Sequence, residues 1–218
     1  MPKTRTLVKI CGVTSIEQAI KIAELGPNAI GIISVEESPR YIAPGKKHEI
    51  FKTLKNLYPN IQRVTVVKNS SIDSIIRNFL EEPHENTIQL HGDENIDYCQ
   101  ELKQKIPNVK LWKAFRIKTK KDIESVIPFE NFIDAIILDS WNQETYGGSG
   151  KRIASTYLED ISFNKPWLLA GGVSIEWIEE IFKNIKPNGV DISSSVETSP
   201  GRKDIKKIET IFKEINKY

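Results

Sequence analysis

Cys11 is the side chain of this sequence with the clearest chemical potential. It ends a short strand-like run, residues 7–11, that reads LVKIC. Because successive side chains of a strand face opposite ways, Lys9 and Cys11 share one face, away from apolar Val8 and Ile10. A lysine beside a thiol can lower the thiol's pKa and make it a base, whereas an unused cysteine is simply buried and inert. The run alone leaves both interpretations open.

Three other side chains can take part in acid–base or binding chemistry. Asp139 closes an apolar run at residues 136–138, and a partly desolvated carboxyl can donate a proton near neutrality. The alternative interpretation is that Asp139 is an ordinary N-cap or loop aspartate without a catalytic role. His91 ends another strand-like run, where it can be an acid–base group or a hydrogen-bonding spacer. Arg40 lies in a proline-bounded loop, where it can clamp a carboxylate with two N–H groups or be solvated.

Small residues follow the last two strand-like runs. Gly171 and Gly172 end one run, and Ser193, Ser194 and Ser195 end the next. Backbone amides of such residues can approach an anion closely, and in α/β barrels the loops after strands seven and eight form a recurrent phosphate site. The glycine pair alone indicates only a tight turn. Together with the serines it predicts phosphate binding.

These residues are spread over an alternation of strand-like and helix-like runs. The predicted strands are Leu7–Cys11, Ala29–Ile33, Arg63–Val67, Thr87–His91, Lys110–Phe115, Ala135–Asp139, Trp167–Gly171 and Gly189–Ser194. Helical patterns follow at Ser15–Leu25, 46–58, Ile72–Leu80, Glu94–Lys105, Asp122–Ile127, Ile153–Asp160, Ile175–Phe182 and Ile205–Ile215. Eight strand–helix units predict a parallel sheet with helical crossovers.

The side-chain alternation favours a closed (β/α)8 barrel over an open doubly wound sheet. In an open sheet covered on both faces the strands are apolar throughout. Here several strands have one apolar and one polar face, as expected when the polar face lines a lumen that holds a site. We therefore predict an α/β fold, a TIM barrel with residues 1–218 as a single domain. The candidate residues then meet at the carboxyl ends of the strands.

Charge and composition limit the classes of partner that the protein is expected to have. The formal net charge is +2 over 218 residues, with both signs mixed along the chain, so there is no electrostatic argument for nucleic acid or a membrane. No segment is long and apolar enough to span a bilayer, and two cysteines make no disulfide framework. Three scattered histidines indicate no metal site. We expect a cytoplasmic protein.

Several motifs, taken together, resemble the phosphoribosylanthranilate isomerase family of tryptophan biosynthesis. They occur in the family's order and spacing over residues 8–204: VKICG, SPRY, QLHGDE, LDS, YGGSGK, LAGG and GVDISSSVETSPGRKD. The resemblance implies a TIM barrel that catalyses an Amadori rearrangement of a small phosphosugar, N-(5-phosphoribosyl)anthranilate, without cofactor or metal. A monomer or a homodimer is compatible with it.

The resemblance also implies roles for single residues. Asp139 is the general acid that opens the ribose ring, and Cys11 is the general base that removes the C2 proton. The expected substrate-binding residues are Arg40 at the anthranilate, His91, and Asp191 near the sugar hydroxyls. The expected phosphate-binding residues are Gly171, Gly172, Ser193 and Ser194.

The chain departs from the family pattern at a few positions. Ser195 stands where glycine is usual, which puts the shape of the phosphate loop in question. Ile32 and Ser34 replace phenylalanines, and Ile153 replaces an aromatic residue, which puts the packing around the anthranilate in question.

Two alternatives stay open at this point. One is a related isomerase of histidine biosynthesis, although that family has an aspartate where Cys11 stands. The other is a silent phosphosugar-binding barrel, which would be expected to lack Cys11 or Asp139.

Overall fold

The computed structural model describes residues 6–81, 84–140, 152–159 and 161–218. Eight parallel strands, paired in sequence order with the last against the first, form a closed barrel. They are β1 (Leu7–Cys11), β2 (Ala29–Ile33), β3 (Gln62–Val67), β4 (Thr87–Leu90), β5 (Lys110–Ile117), β6 (Ala135–Ser140), β7 (Trp167–Leu169) and β8 (Gly189–Ile192). The predicted TIM barrel is confirmed.

Helices connect the strands around the outside of this barrel. They are α1 (Ile16–Glu24), α2 (Pro44–Leu57), α3 (Ile72–Glu81), α4 (Ile96–Lys105), α5 (Lys120–Glu124), α6 (Ser155–Leu158), α7 (Ile178–Glu180) and α8 (Ile205–Ile215). A short hairpin of β9 (Glu197–Ser199) and β10 (Arg202–Lys203) stands between β8 and α8.

Several helix boundaries differ from the sequence prediction by a few residues, and the fifth and seventh helical segments differ in an informative way. Helix α5 begins before the predicted Asp122, because the Asp122 carboxylate accepts hydrogen bonds from the Thr119 and Lys118 amides and caps the helix. The seventh helical segment is not one regular α-helix. A 3-10 turn (Ile175–Trp177) precedes α7, and a π-helical turn (Ile181–Ile185) follows it.

Two apolar layers fill the molecule, one outside the strands and one within the barrel. Val8 and Ile10 belong to the outer layer, which packs against the helices. The inner layer consists of Cys11, Ala29, Val64, Val66, Trp112, Ala114, Ala135, Ile137, Leu168 and Ala170. The lumen is therefore more apolar than the sequence predicted, and its polar groups are confined to a few strands.

In the described part of the chain, no helix has the length and apolar character needed to cross a membrane.

Candidate active site

Cys11 lies at the carboxyl end of β1 and faces the lumen, with 7% of its surface exposed. Glycine at position 31 of the neighbouring β2 leaves room for the thiol, since a Cβ there would lie 2.9 Å from Cys11 Sγ. Lys9, on the same face, is fully buried, and its Nζ donates a 2.7 Å hydrogen bond to Asp191 Oδ2. Lys9 and Asp191 are paired residues in the register of β1 and β8.

The electrostatics around Cys11 differ from the sequence expectation. Burial raises the pKa of the thiol, and although Lys9 lowers it, the net direction is upward. Burial would by itself lower the pKa of Lys9, but the Asp191 carboxylate and Cys11 together hold it above its ordinary value. Lys9 thus acts on Cys11 in the expected direction, but its charge is shared with Asp191 and does not overcome burial.

Opposite shifts of the Cys11 pKa are expected from two substitutions. Lys9→Met removes a positive charge and should raise the thiol pKa further, whereas Asp191→Asn removes a negative charge and should lower it. Thiolate absorbance measured against pH checks both. The titrations belong in a Cys99→Ala background, because burial raises the pKa of Cys99 to about 11. Unchanged titration curves in two folded variants would show that neither charge reaches the thiol.

Asp139 also faces the lumen, at the carboxyl end of β6. Its Oδ2 lies 3.1 Å from Nε2 of His91, which follows β4. The other ring nitrogen of His91, Nδ1, lies 3.1 Å from Nε2 of Gln89, a fully buried side chain of β4. Arg116, paired with Asp139 in the register of β5 and β6, donates from Nη2 to the His91 carbonyl at 3.2 Å. The carboxyl and the imidazole are therefore held together at one side of the barrel mouth.

Gly171 allows the loop after β7 to approach Asp139. Its φ is +73°, and an added Cβ would lie 2.4 Å from Ser140 Oγ and 2.7 Å from Asp139 Oδ1. A side chain at this position would be strained by its backbone conformation and would displace the carboxylate.

Gly171→Ala should destabilise the fold by about 2–4 kcal/mol, from the left-handed backbone together with overpacking. It should also lower turnover, because Asp139 must move. Gly45→Ala is the matched control, since nothing lies within 4 Å of its added Cβ in helix α2. Urea unfolding and turnover of the two variants give the comparison. Equal stability and activity in both would contradict the contact.

Arg40 does not lie in an open loop. It is 7% exposed, and its Nε and Nη2 donate to both carboxylate oxygens of Glu197, with Nη2 to Oε2 at 2.7 Å. Glu197 Oε1 also accepts from Lys203 Nζ at 2.8 Å. The carboxylate that Arg40 clamps in this structure is thus Glu197. Only the outer edge of the guanidinium, Nη1 and the second N–H of Nη2, faces away from this ion pair.

Glu197→Gln should cost about 3 kcal/mol of stability near neutral pH, since it leaves Arg40 and Lys203 buried without their carboxylate. Burial alone would raise the pKa of Glu197, but hydrogen bonds from the two cations hold it below its ordinary value. The stabilisation is therefore present above the ordinary carboxyl pKa and is lost as the pH falls through the lowered one. Urea unfolding from pH 7 to pH 3 checks this.

The matched control for that substitution is Glu17→Gln, which removes an exposed ion pair with Lys21 on helix α1. It should leave stability unchanged. A difference between wild type and Glu197→Gln that stays constant down to pH 3 would contradict the ionic account.

One hydrogen bond joins the loops after β7 and β8, and a second joins the loop after β8 to the end of β1. Ser195 Oγ donates to the Val173 carbonyl at 2.5 Å, and Ser193 Oγ donates to the Cys11 carbonyl at 3.1 Å. Gly171 and Gly172 both have positive φ. In the closed barrel β7 and β8 stand between β6, which carries Asp139, and β1, which carries Cys11. The candidate phosphate loops thus lie between the candidate acid and the candidate base.

A family model described as N-(5'phosphoribosyl)anthranilate (PRA) isomerase matches residues 8–214. The N-(5'-phosphoribosyl)anthranilate isomerase of Nostoc punctiforme is 38% identical over 208 residues, covering 95% of this chain and 97% of that protein. That of Crocosphaera subtropica is 38% identical over 210 residues, covering 96% and 98%. The chain belongs to the phosphoribosylanthranilate isomerase family.

Solved structures of this family agree with the fold. The crystal structure of phosphoribosyl anthranilate isomerase from Thermotoga maritima has a TM-score of 0.87 and 31% identity, covering 98% of this chain and 100% of that one. Another phosphoribosyl anthranilate isomerase, solved in complex with reduced 1-(o-carboxyphenylamino)-1-deoxyribulose 5-phosphate, has a TM-score of 0.80 and 28% identity, with the same coverage. Membership makes this chain an isomerase with a (β/α)8 barrel.

The departures from the family pattern have a structural account at three positions. Ser195 is not at positive φ, so its Cβ causes no backbone strain. Ile32 and Ile153 lie in the outer apolar layer. The expectation that Ile32 changes the packing around the anthranilate is therefore wrong, because its side chain faces the helices. The YGGSGK motif lies outside the described residues.

Sequence reasoning missed three residues that hold the site. Glu197 and Lys203 lie within the GVDISSSVETSPGRKD motif, in which only Asp191 and the serines carry predicted roles, and Gly31 carries none. The buried pairing of Glu197 with Arg40 joins residues 157 apart in sequence, so no local pattern marks it.

Proposed function

We propose that this isomerase converts N-(5-phosphoribosyl)anthranilate into 1-(2-carboxyphenylamino)-1-deoxyribulose 5-phosphate by general acid–base catalysis. One observation carries the proposal: Asp139 and Cys11 face the lumen on either side of the two loops, after β7 and β8, in which Gly171 and Gly172 have positive φ. We propose that these loops receive the phosphate. A phosphosugar anchored there presents its ring between the two groups. Family membership supports the same reaction.

The reaction begins at Asp139 in this proposal. Its carboxyl donates a proton to the ribose ring oxygen, the C1–O bond breaks, and the anthranilate nitrogen supplies the electron pair that forms the C1=N bond. Asp139 suits this step because it is 14% exposed and is held by His91 at 3.1 Å. A largely water-excluded carboxyl makes proton transfer to the substrate more effective than to solvent.

The second step takes place at Cys11. The thiolate removes the C2 proton, the electron pair forms a C1=C2 bond, and the resulting enolamine tautomerises to the ketone. Because burial holds the thiol pKa above its ordinary value, only a small fraction is thiolate at neutral pH in the unliganded protein. Once formed, that thiolate is a strong base in a poorly solvated site, which favours removal of a weakly acidic C–H proton.

Binding is distributed over the rest of the rim. We propose that Gly171, Gly172, Ser193 and Ser194 hold the phosphate through backbone amides and hydroxyls. Asp191 Oδ1, buried and without a hydrogen-bond partner among the described residues, is the proposed acceptor for a sugar hydroxyl. The outer edge of the Arg40 guanidinium would meet the anthranilate carboxylate, and His91 would contact the substrate beside Asp139.

Incubation with freshly prepared phosphoribosylanthranilate, followed by anthranilate fluorescence, tests the proposal. We expect enzyme-dependent loss of substrate fluorescence and formation of the ketose product. Turnover of the aldose–ketose substrate of histidine biosynthesis, with none of phosphoribosylanthranilate, would overturn it. Binding of both compounds without turnover would favour the silent phosphosugar-binding barrel.

The location and the oligomeric state of the protein complete the proposed function. We propose a cytoplasmic single-domain enzyme that is a monomer or a homodimer and acts on a small molecule without nucleic acid, metal or cofactor. One relative, from Thermotoga maritima, is described as a dimeric isomerase. Sedimentation equilibrium of the purified protein distinguishes the two oligomeric states.

A further inference from the structure

Lys203 is a buried lysine that has no role in the proposed mechanism. It lies in β10, directly opposite Glu197 in the hairpin with β9, and its side chain is fully buried. Its Nζ donates a hydrogen bond to Glu197 Oε1 at 2.8 Å and another to the Ser193 carbonyl at 3.0 Å. One amine thus joins the ion pair of Arg40 to the loop after β8.

The hairpin that carries Lys203 is held in place by the segment after β1. The backbone N–H of Lys203 donates to Gln18 Oε1 on helix α1 at 3.0 Å. Thr14 Oγ1 donates to the carbonyl of Gly201, in the hairpin turn, at 2.6 Å. The position of the amine is therefore set by contacts with α1 and the residues before it, in addition to the ion pair with Glu197.

The hydrogen bond to the Ser193 carbonyl also sets the direction of the next amide group. The carbonyl of Ser193 and the N–H of Ser194 belong to one planar peptide unit, and in a trans unit these two groups point in opposite directions. All peptide bonds in the described part of the chain are trans. Because the carbonyl is held on Lys203, the N–H of Ser194 faces away from the ion pair.

The cluster around Glu197 carries more positive than negative charge. Arg40 and Lys203 both donate to the single Glu197 carboxylate, and all three residues are buried. Burial lowers the pKa of Lys203, and the Glu197 carboxylate opposes that effect. An anion bound nearby would oppose it further, because it favours the charged amine. The cluster is therefore electrostatically suited to an anionic ligand beside it.

We propose that Lys203 is a positioning residue that aims the Ser194 amide at the substrate phosphate and places a positive charge on the opposite side of that loop. The inference rests on the proposed phosphate site. Lys203 holds the loop without touching the substrate. Through Glu197 the same network reaches Arg40, so the groups proposed to bind the phosphate and the anthranilate carboxylate are joined by one buried carboxylate.

Calorimetric titration with two ligands tests the inference. The ligands are the reduced product analogue and the same compound after removal of its phosphate, and the ratio of their affinities measures what the phosphate contributes. We expect the wild type to bind the phosphorylated compound more tightly. In Lys203→Met the ratio should fall about tenfold, the scale of one hydrogen bond to a charged group. The affinity for the compound without phosphate should change little.

The matched control is Lys47→Met. Lys47 is also buried, and its Nζ donates to Glu85 at 3.0 Å from helix α2, on the outside of the barrel. Both substitutions leave a buried carboxylate without its lysine, so both should lower stability. Only Lys203→Met should change the affinity ratio. If Lys203→Met does not fold, Lys203→Gln, which also removes the charge, is measured in its place.

The outcomes separate this inference from the proposed function. A wild-type affinity ratio in the folded Lys203 variant would overturn the inference and leave the phosphate site intact. A wild type that binds both ligands equally would overturn the inference together with the phosphate site. An equal fall of the ratio in Lys47→Met would also overturn it, because loss of a distant buried lysine would then have the same effect.

Discussion

Replacing Cys11 with serine should lower turnover of phosphoribosylanthranilate by at least ~100-fold, the usual scale for loss of a general base. Serine keeps the position of the side chain and is no larger than cysteine, and Gly31 has no Cβ that would crowd it. Its hydroxyl, however, gives up its proton far less readily than a thiol does. The C2 proton of the opened sugar then has no acceptor on that side. KM should change little, because Cys11 contributes basicity and little binding.

The control for Cys11→Ser is Cys99→Ala. Cys99 is fully buried in helix α4, in the outer layer away from the lumen. That variant should lose some stability through the smaller side chain, but its turnover per folded molecule should equal that of the wild type. Turnover near the wild-type value in Cys11→Ser would remove Cys11 from the proton-transfer step.

Asp139→Asn should also lower turnover by at least ~100-fold, because an amide has no acidic proton for the ring oxygen. Asparagine has the same shape, and its Oδ1 can take the place of the carboxyl oxygen that lies 3.1 Å from His91 Nε2. The barrel mouth should therefore keep its geometry. The defect is expected in ring opening, so a substrate analogue that is already open should bind with unchanged affinity.

Asp97→Asn serves as the control for a lost carboxylate, since Asp97 is exposed in the first turn of helix α4. It should turn over at the wild-type rate. Equal rates in Asp97→Asn and Asp139→Asn would show that Asp139 is not the acid.

Alternation within single strands carried most of the prediction. It placed Cys11 and Lys9 on one face of β1 and Asp139 with Ile137 on one face of β6, and both pairs face the lumen. It worked because each strand has one face toward the helices, and that face must be apolar. The eight-unit pattern then fixed which strand ends are neighbours, so the candidate residues could be brought to one rim.

Contacts between residues far apart in the sequence could not be predicted from the alternation. Lys9 meets Asp191 across 182 residues, and Arg40 meets Glu197 across 157. A pattern of strand and helix predicts that two strand ends are close but not which charges pair. The expectation that the pKa of Cys11 is lowered was wrong for the same reason. The net direction of that pKa depends on the balance between burial and three neighbouring charges.

A structure of the protein with the reduced product analogue bound tests the central claim most directly. The account predicts that the phosphate lies on the amides of Gly171, Gly172 and Ser194. It also predicts Cys11 Sγ roughly 3–3.5 Å from C2 and Asp139 within hydrogen-bond reach of the former ring oxygen, as a reactive geometry requires. An analogue bound with its phosphate elsewhere, or with Cys11 and Asp139 facing atoms other than these, would contradict the account.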